Sequence, residues 1–330
     1  MRIALDVMGG DHAPVEILKG AQEALGVIDD LSLTLVGDRD VILSHWPGAQ
    51  SRPDVSILHC TQVIAMDENP AMAYRRKKDA SITVATRQVK DGSAQAVVSA
   101  GSTGAQLVAG LFELGRMDGV SRPATAVFIP TLKGPRVLLD TGATVDSTPE
   151  IIVQIAWLGS IYAGAVLGID SPRVCLLSNG AEKEKGNDLT LKSHALLLQQ
   201  EGLHFAGNIE GRDLFDGYAD VIVTDGFAGN VALKTMEGTA GALFAMMKEA
   251  FGSSLRSKLG AFLLMPALRE VKKALDYEEV GGAPLLGING LSVVCHGSSK
   301  AKAIGTAIQK AALWIEMGLM EKLTEHKFIR

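Results

Sequence analysis

Apolar and polar positions follow one another along this chain in blocks: a short apolar run, a glycine-rich polar turn, then a helical pattern. Residues 3–7 (Ile-Ala-Leu-Asp-Val) predict a strand, followed by a turn at 8–14 (Met-Gly-Gly-Asp-His-Ala-Pro) and a helix over about Val15–Leu25. Residues 96–99 predict another strand, with a turn at 100–104 (Ala-Gly-Ser-Thr-Gly) and a helix to about Leu114. Strands at 137–140 and 174–177 lead into polar turns at 141–146 and 178–187. The apolar run 221–223 breaks at Asp225 and Gly226 and again at Gly229, then enters a helix carrying Leu233, Lys234 and Met236. Short apolar runs bounded by turn residues read as buried strands. A helix after each strand implies right-handed crossovers and a parallel sheet. The pattern predicts an α/β fold.

The segment from about 248 to 277 reads as helical, interrupted at 252–254 and carrying Pro266. Residues 280–290 read as a loop or hairpin, 291–295 as a further strand, and about 300–317 as a helix. No linker separates compositionally distinct halves, so residues 1–330 are expected to form one α/β domain with a helical hairpin inserted at about 248–277.

Each polar turn follows the C-terminal end of a predicted strand, the edge where open parallel sheets gather ligands. If the strands share one sheet, these turns converge on one crevice. At 220–234, strand, glycine turn and helix aim backbone N–H groups and a helix N-terminus at one point. Asn230 can cap or donate there and Lys234 adds a full positive charge, so a phosphate or an oxyanion fits better than an apolar ligand. The remaining candidate contacts are Asp6, Gly9, Gly10, Asp11, Ser102, Thr103, Gly104, Asp140, Asn179, Asp225, Gly226, Gly229 and His296. Glycines in such turns allow positive φ or close backbone approach.

Composition narrows the chemistry. The net charge of −5 and the lack of a sustained basic stripe argue against nucleic-acid binding. Cys60, Cys175 and Cys295 have no metal-like spacing and sit in apolar surroundings, which predicts reduced, structural thiols. The dinucleotide and P-loop fingerprints and the nucleophile elbow do not occur. The histidines form no metal-binding pair, so no catalytic metal is expected. No apolar leader and no apolar run of about 18 residues is seen, which predicts a cytoplasmic protein.

The chain resembles the bacterial phosphate acyltransferase family of phospholipid synthesis, known as PlsX. The resemblance rests on residues 4–14, 68–81, 99–105, 138–142, 185–187, 207–212, 220–234 and 281–287, in order over nearly the whole chain. Thr144 stands where the family pattern leads one to expect Asn, and Ala181 where an acidic residue is usual. The resemblance implies a large three-layer αβα sandwich with a mainly parallel sheet, similar to the isocitrate and isopropylmalate dehydrogenases, working as a homodimer.

It also implies transfer of a long-chain acyl group from acyl carrier protein to inorganic phosphate, without a cofactor. Phosphate is itself the nucleophile, so no catalytic triad is needed. Lys185 and Lys234 would neutralise phosphate, Asn187 and Asn230 would donate to phosphate or to the developing oxyanion, and His12 or His296 would orient phosphate or carry a proton. The basic run Arg75, Arg76, Lys77 and Lys78 reads either as a solvated helix face, or as a phosphate contact or a dock for the acidic carrier protein. The apolar stretch with Phe262, Leu263, Leu264 and Met265, flanked by basic residues, reads either as a buried or dimer-forming helix or as a hairpin tip entering the membrane surface. The second reading suits a poorly soluble product bound for a membrane-bound glycerol-3-phosphate acyltransferase. A short-chain phosphotransacetylase and a non-catalytic, membrane-associated scaffold are the alternatives.

Overall fold

The computed structural model describes residues 1–275 and 281–328. Its strands are β1 (Arg2–Asp6), β2 (Ser32–Gly37), β3 (Val55–His59), β4 (Ala96–Ser99), β5 (Ala124–Thr125), β6 (Val127–Ile129), β7 (Arg136–Leu139), β8 (Val174–Ser178), β9 (Phe205–Glu210), β10 (Val221–Val223), β11 (Ala283–Leu286) and β12 (Leu291–Val294). Its α-helices are α1 (Val15–Leu25), α2 (Arg39–His45), α3 (Pro70–Arg76), α4 (Ser81–Lys90), α5 (Thr103–Ala109), α6 (Pro149–Leu167), α7 (Asp188–Leu197), α8 (Gly226–Gly252), α9 (Leu255–Leu275), α10 (Ala301–Glu316) and α11 (Leu319–Glu325).

The strands divide between two sheets, which corrects the expectation of a single shared crevice edge. One sheet has the order β3-β2-β1-β4-β12-β11-β5 and the other β6-β7-β10-β8-β9. Most pairs are parallel; β11 runs antiparallel to both β12 and β5, and β6 antiparallel to β7. Residues 281–290 thus contain the strand β11, paired with β12 as a hairpin. The predicted helix end at Tyr277 and the loop start at Val280 lie outside the described residues.

Strand alternation explains the layering. In β1, Ile3 and Leu5 pack with Ile17 of α1 and Ile304 of α10, whereas Ala4 joins Ile82 and Ala85 of α4. In the second sheet, Val137, Leu139, Val221 and Val223 join Ile152 and Ile155 of α6, whereas Leu138 and Ile222 face Leu233 and Met236 of α8. Successive side chains on opposite faces, both covered by helices, produce the near-continuous apolar runs seen in the sequence. The expected αβα layering is therefore present around both sheets. One core cluster links them through α6 and α10, where the Tyr162 and Trp314 rings meet edge-on at 5.8 Å.

Helix α6 is long and apolar enough to cross a membrane by length and composition, contrary to the sequence expectation. It packs instead against β7, β10, α7 and α11. Helices α8 and α9 form a helical hairpin that reverses at Ser253 and Ser254, its first arm beginning at Gly226 and not near 248 as expected. Most of its outer length is exposed, including Leu243, Met246, Leu255, Leu259, Phe262, Leu263, Leu264 and Met265. Phe262–Met265 therefore lie on the shaft of α9, two to three helical turns from the reversal, and not at the tip.

Candidate active site

Two buried carboxylates organise the turns. Asp6, at the end of β1, accepts from Ser99 Oγ at 2.7 Å and from the Met8 N–H at 3.2 Å. Asp140, at the end of β7, accepts N–H groups from Thr125, Gly142, Ala143 and Thr144. Burial pushes both carboxyls above the usual carboxylate range, opposed by these hydrogen bonds. Asp6 is 1 % and Asp140 0 % exposed, so neither is a substrate contact as expected; each gathers the backbone of the turn that follows it.

Several candidate glycines and caps serve this packing. A Cβ on Gly9 would lie 2.5 Å from Asp6 Oδ2, one on Gly226 2.7 Å from Asp140 Oδ2, and one on Gly229 1.9 Å from the Asp140 carbonyl oxygen. A Cβ on Gly104 would meet Pro70 at 2.6 Å. Gly10 has φ of +105°, the conformation a side chain disfavours. Ser102, Asn187 and Asp225 are N-caps of α5, α7 and α8, accepting from Ala105, Thr190 and Ala228.

The other polar candidates line two cavities on different flanks of α8. The smaller, about 430 Å³, has Asn179, Asn187, Asp225 and Ala228 in its wall. Lys185 is exposed beside it, with its stem over Gly180. The larger, about 680 Å³, is lined by Asp11, Thr103, Asn230, Lys234 and His296. Gly211 borders both. On a helix of 3.6 residues per turn, Ala228 lies roughly 120° or more around the axis from Asn230, Leu233 and Lys234. The two lysines expected to share one phosphate thus sit beside separate cavities. His12 is exposed and contributes nothing to the lining of either.

The larger cavity is amphipathic. Asp11, Thr103, Thr141 and His296 line it together with the apolar Val127, Phe128, Ile129, Phe215, Leu233 and Met236. Lys234 bonds Glu237 at 2.8 Å, so an incoming anion competes with a resident carboxylate. His296 Nδ1 accepts from the Ser298 N–H at 3.2 Å, which leaves the ring proton on Nε2. Cys295 also lines the cavity, and burial pushes its thiol up to about 12.

Sequence reasoning missed Thr125, Thr141 and the apolar wall. Their signal was faint: β5 and β6 are two and three residues long, and only the period-2 spacing of Thr125, Val127 and Ile129 marks a common face.

The basic run divides. Lys77 turns inward to Glu68 and to the Val63 carbonyl at 2.7 Å. Lys78 lies over the Tyr74 ring at 4.4 Å, and Arg75 and Arg76 are exposed. Tyr74 donates to Glu113 at 2.8 Å. Burial alone would raise the Glu113 carboxyl, but Arg87 and Tyr74 bond it and hold it below the usual range. The contact of Gly104 with Pro70 sets this basic helix next to α5, whose Thr103 lines the larger cavity.

Comparison with known proteins gives this geometry a family. A family model described as "Fatty acid synthesis protein" matches residues 1–322. The phosphate acyltransferase of Heliobacterium modesticaldum is 54% identical over 328 residues, covering 99% of this chain and 97% of that protein. The phosphate acyltransferase of Desulfitobacterium hafniense is 51% identical, with 98% and 96% covered. Among solved structures, a phosphotransacetylase from Streptococcus pyogenes aligns with a TM-score of 0.62 at 16% identity, covering 96% of this chain and 94% of that one. The 4-hydroxythreonine-4-phosphate dehydrogenase of Klebsiella pneumoniae aligns at 0.55 and 13% identity, covering 95% and 98%. These two share the fold, a dehydrogenase among them, as the sequence led one to expect. With matching residues running from the first strand to the last helices, the chain belongs to the phosphate acyltransferase, or PlsX, family and is an acyltransferase.

Proposed function

We propose that the chain transfers a long-chain acyl group from acyl carrier protein to inorganic phosphate, giving acyl phosphate for phospholipid synthesis. The observation that carries this reading is the amphipathic larger cavity. Its polar lining offers Asn230, Lys234 and His296 to a phosphate and a thioester carbonyl, and its apolar lining offers a hydrocarbon chain cover from water. A phosphate oxygen attacks the carbonyl carbon; the carbonyl electron pair moves to oxygen and returns as the C–S bond breaks. The thiolate leaves with the C–S pair and takes up the proton lost by phosphate. Holding the two reactants together supplies several kcal/mol of the barrier.

The basic helix α3 suits an acidic carrier protein, with Arg75, Arg76 and Lys78 outward and the cavity close by. The apolar shafts of the hairpin suit cover by a second copy and by the membrane surface, with Arg256, Lys258 and Arg269 available to lipid phosphates. Such a protein would work in the cytoplasm against the inner face of the membrane, handing its product to a membrane-bound acyltransferase.

The test is direct. Purified protein with palmitoyl-carrier protein and phosphate is expected to form acyl phosphate, trapped as the hydroxamate, faster than with acetyl-CoA. Preference for acetyl-CoA would assign a short-chain phosphotransacetylase, and no product from either donor would leave a scaffold.

A further inference from the structure

Helix α5 runs on into a π-helical turn, Gly110–Leu114, closed by the Gly115 N–H donating to the Gly110 carbonyl at 3.1 Å. Wide turns of this kind are rare and recur at functional sites. This one sorts its side chains. Glu113 turns inward to Tyr74 and Arg87, and Leu111 and Leu114 pack against Leu285, Ile288 and Val294. Phe112 points outward and is 61 % exposed.

The exposed ring is nevertheless held. It stacks on the Tyr74 ring of α3 at 5.3 Å, and Lys78 lies over that same ring at 4.4 Å. Tyr74 is fixed in turn by Glu113, whose carboxylate also takes Arg87 at 2.9 Å and Lys90 at 3.6 Å. The acid of this face is thus satisfied from within, and Glu68 is paired with Lys77. Arg75, Arg76 and Lys78 are exposed around the ring's support, on a chain whose net charge is −5. Aromatic rings and arginines are enriched at protein interfaces, and a ring already held by its neighbours loses little freedom when covered. The face also adjoins the larger cavity. Thr103, which lines it, is nine residues from Phe112, about 13 Å along the helix axis.

We propose that Phe112 is the apolar anchor of the docking face for the acidic carrier protein, whose carboxylates meet Arg75, Arg76 and Lys78 while an apolar residue covers the ring. This rests on the acyl-transfer reading above, which supplies that partner. Charge complementarity fits an acidic protein, and closeness to the cavity selects the donor over a lipid surface or a second copy, neither of which has to deliver a thioester there.

The experiment compares Phe112→Ala and Phe112→Leu with the wild type. Binding of labelled holo-carrier protein is read by fluorescence anisotropy at low and high salt, and turnover is measured with palmitoyl-carrier protein and with palmitoyl-CoA. The alanine variant is expected to raise the Kd and the KM for the carrier-protein donor about tenfold, the usual loss on truncating an anchor. That ratio should persist at high salt, which screens the arginines but not the ring. kcat, the KM for palmitoyl-CoA and the melting temperature should match wild type, and leucine should restore most of the binding. Wild-type protein that binds the carrier through Phe112 yet forms no acyl phosphate would overturn the functional reading and leave the docking face standing. An unchanged Kd in the alanine variant, an equal rise in KM for both donors, or failure of both variants to fold would each overturn the anchor. With carrier binding unchanged, lost vesicle binding would assign the face to lipid and an altered oligomeric state to a second copy.

Discussion

Gly229 and Gly238 lie in the same helix, α8, and the structure predicts opposite signs for the same substitution at the two positions. A Cβ at Gly229 would stand 1.9 Å from the Asp140 carbonyl oxygen and 2.8 Å from Thr224 Cγ2. Both partners belong to strand ends fixed by the Asp140 turn, so the helix must lift away. Overpacking of this kind costs about 1–3 kcal/mol, and more when backbone must move. Against it stands the helix preference of alanine, about 1 kcal/mol. The net expectation for Gly229→Ala is a loss of about 2 kcal/mol or more, a fall of about 3 °C or more in Tm. At Gly238 nothing lies within 4 Å, so Gly238→Ala gains the preference alone, about 1 kcal/mol and a rise of about 2 °C. Differential scanning calorimetry on both variants is the assay. Equal shifts at the two positions would refute the seating of α8 on the Asp140 carbonyl. Since Asn230 and Lys234 follow that seat, activity should fall in Gly229→Ala and stay unchanged in Gly238→Ala.

Other expectations follow from charges and exposed apolar faces. Lys234→Ala should raise the KM for phosphate about tenfold, the worth of one charge-assisted contact, while Glu237→Gln should lower it by freeing the ammonium; phosphate kinetics like wild type in both would remove Lys234 from the site. An Arg75→Glu/Arg76→Glu double variant should raise the KM for the carrier-protein donor at low salt and leave turnover of a soluble acyl-CoA alone; equal effects on the two donors would argue against docking. Leu263→Glu/Leu264→Glu should abolish cosedimentation with anionic vesicles while soluble activity persists, and unchanged cosedimentation would return these residues to a protein interface. Burial lowers the Lys310 ammonium from 10.5 to about 8. The folded state therefore favours the neutral amine, and stability is lost as pH falls through 8. In Lys310→Met the rise of stability between pH 8 and 10.5 should be absent, read by melting temperature against pH. A pH-independent difference between the two proteins would refute the burial argument.

Much of the fold was legible because buried parallel strands write themselves as apolar runs and crossovers as helical periods. The start of α1, the strand at 96–99 and the break at 252–254 all fall where the pattern puts them. The division into two sheets was not legible, since an apolar run does not say which neighbour it pairs with. At the site, residue type was the limit. Asp, Ser and Asn are chosen equally by ligands and by helix N-termini, so Ser102, Asn187 and Asp225 look identical in sequence whether they cap or bind. Asp6 and Asp140 look like acceptors for substrate until their burial is known. The separation of Lys185 from Lys234 depends on which flank of α8 each neighbours, a three-dimensional fact that chain order does not carry.

Cys295 shares a wall with an acyl thioester in the proposed reaction, and a thiol in that place is a rival acceptor. Thioester exchange requires the thiolate. With the Cys295 thiol pushed up to about 12 by burial, roughly one molecule in 100,000 carries that thiolate at neutral pH. Under that proposal the larger cavity would hold an activated acyl group without self-acylation, and chemical inertness of its own wall would be part of how it directs the group to phosphate. Burial likewise pushes Cys60 and Cys175 up to about 12, so all three thiols are expected to alkylate slowly in the folded protein.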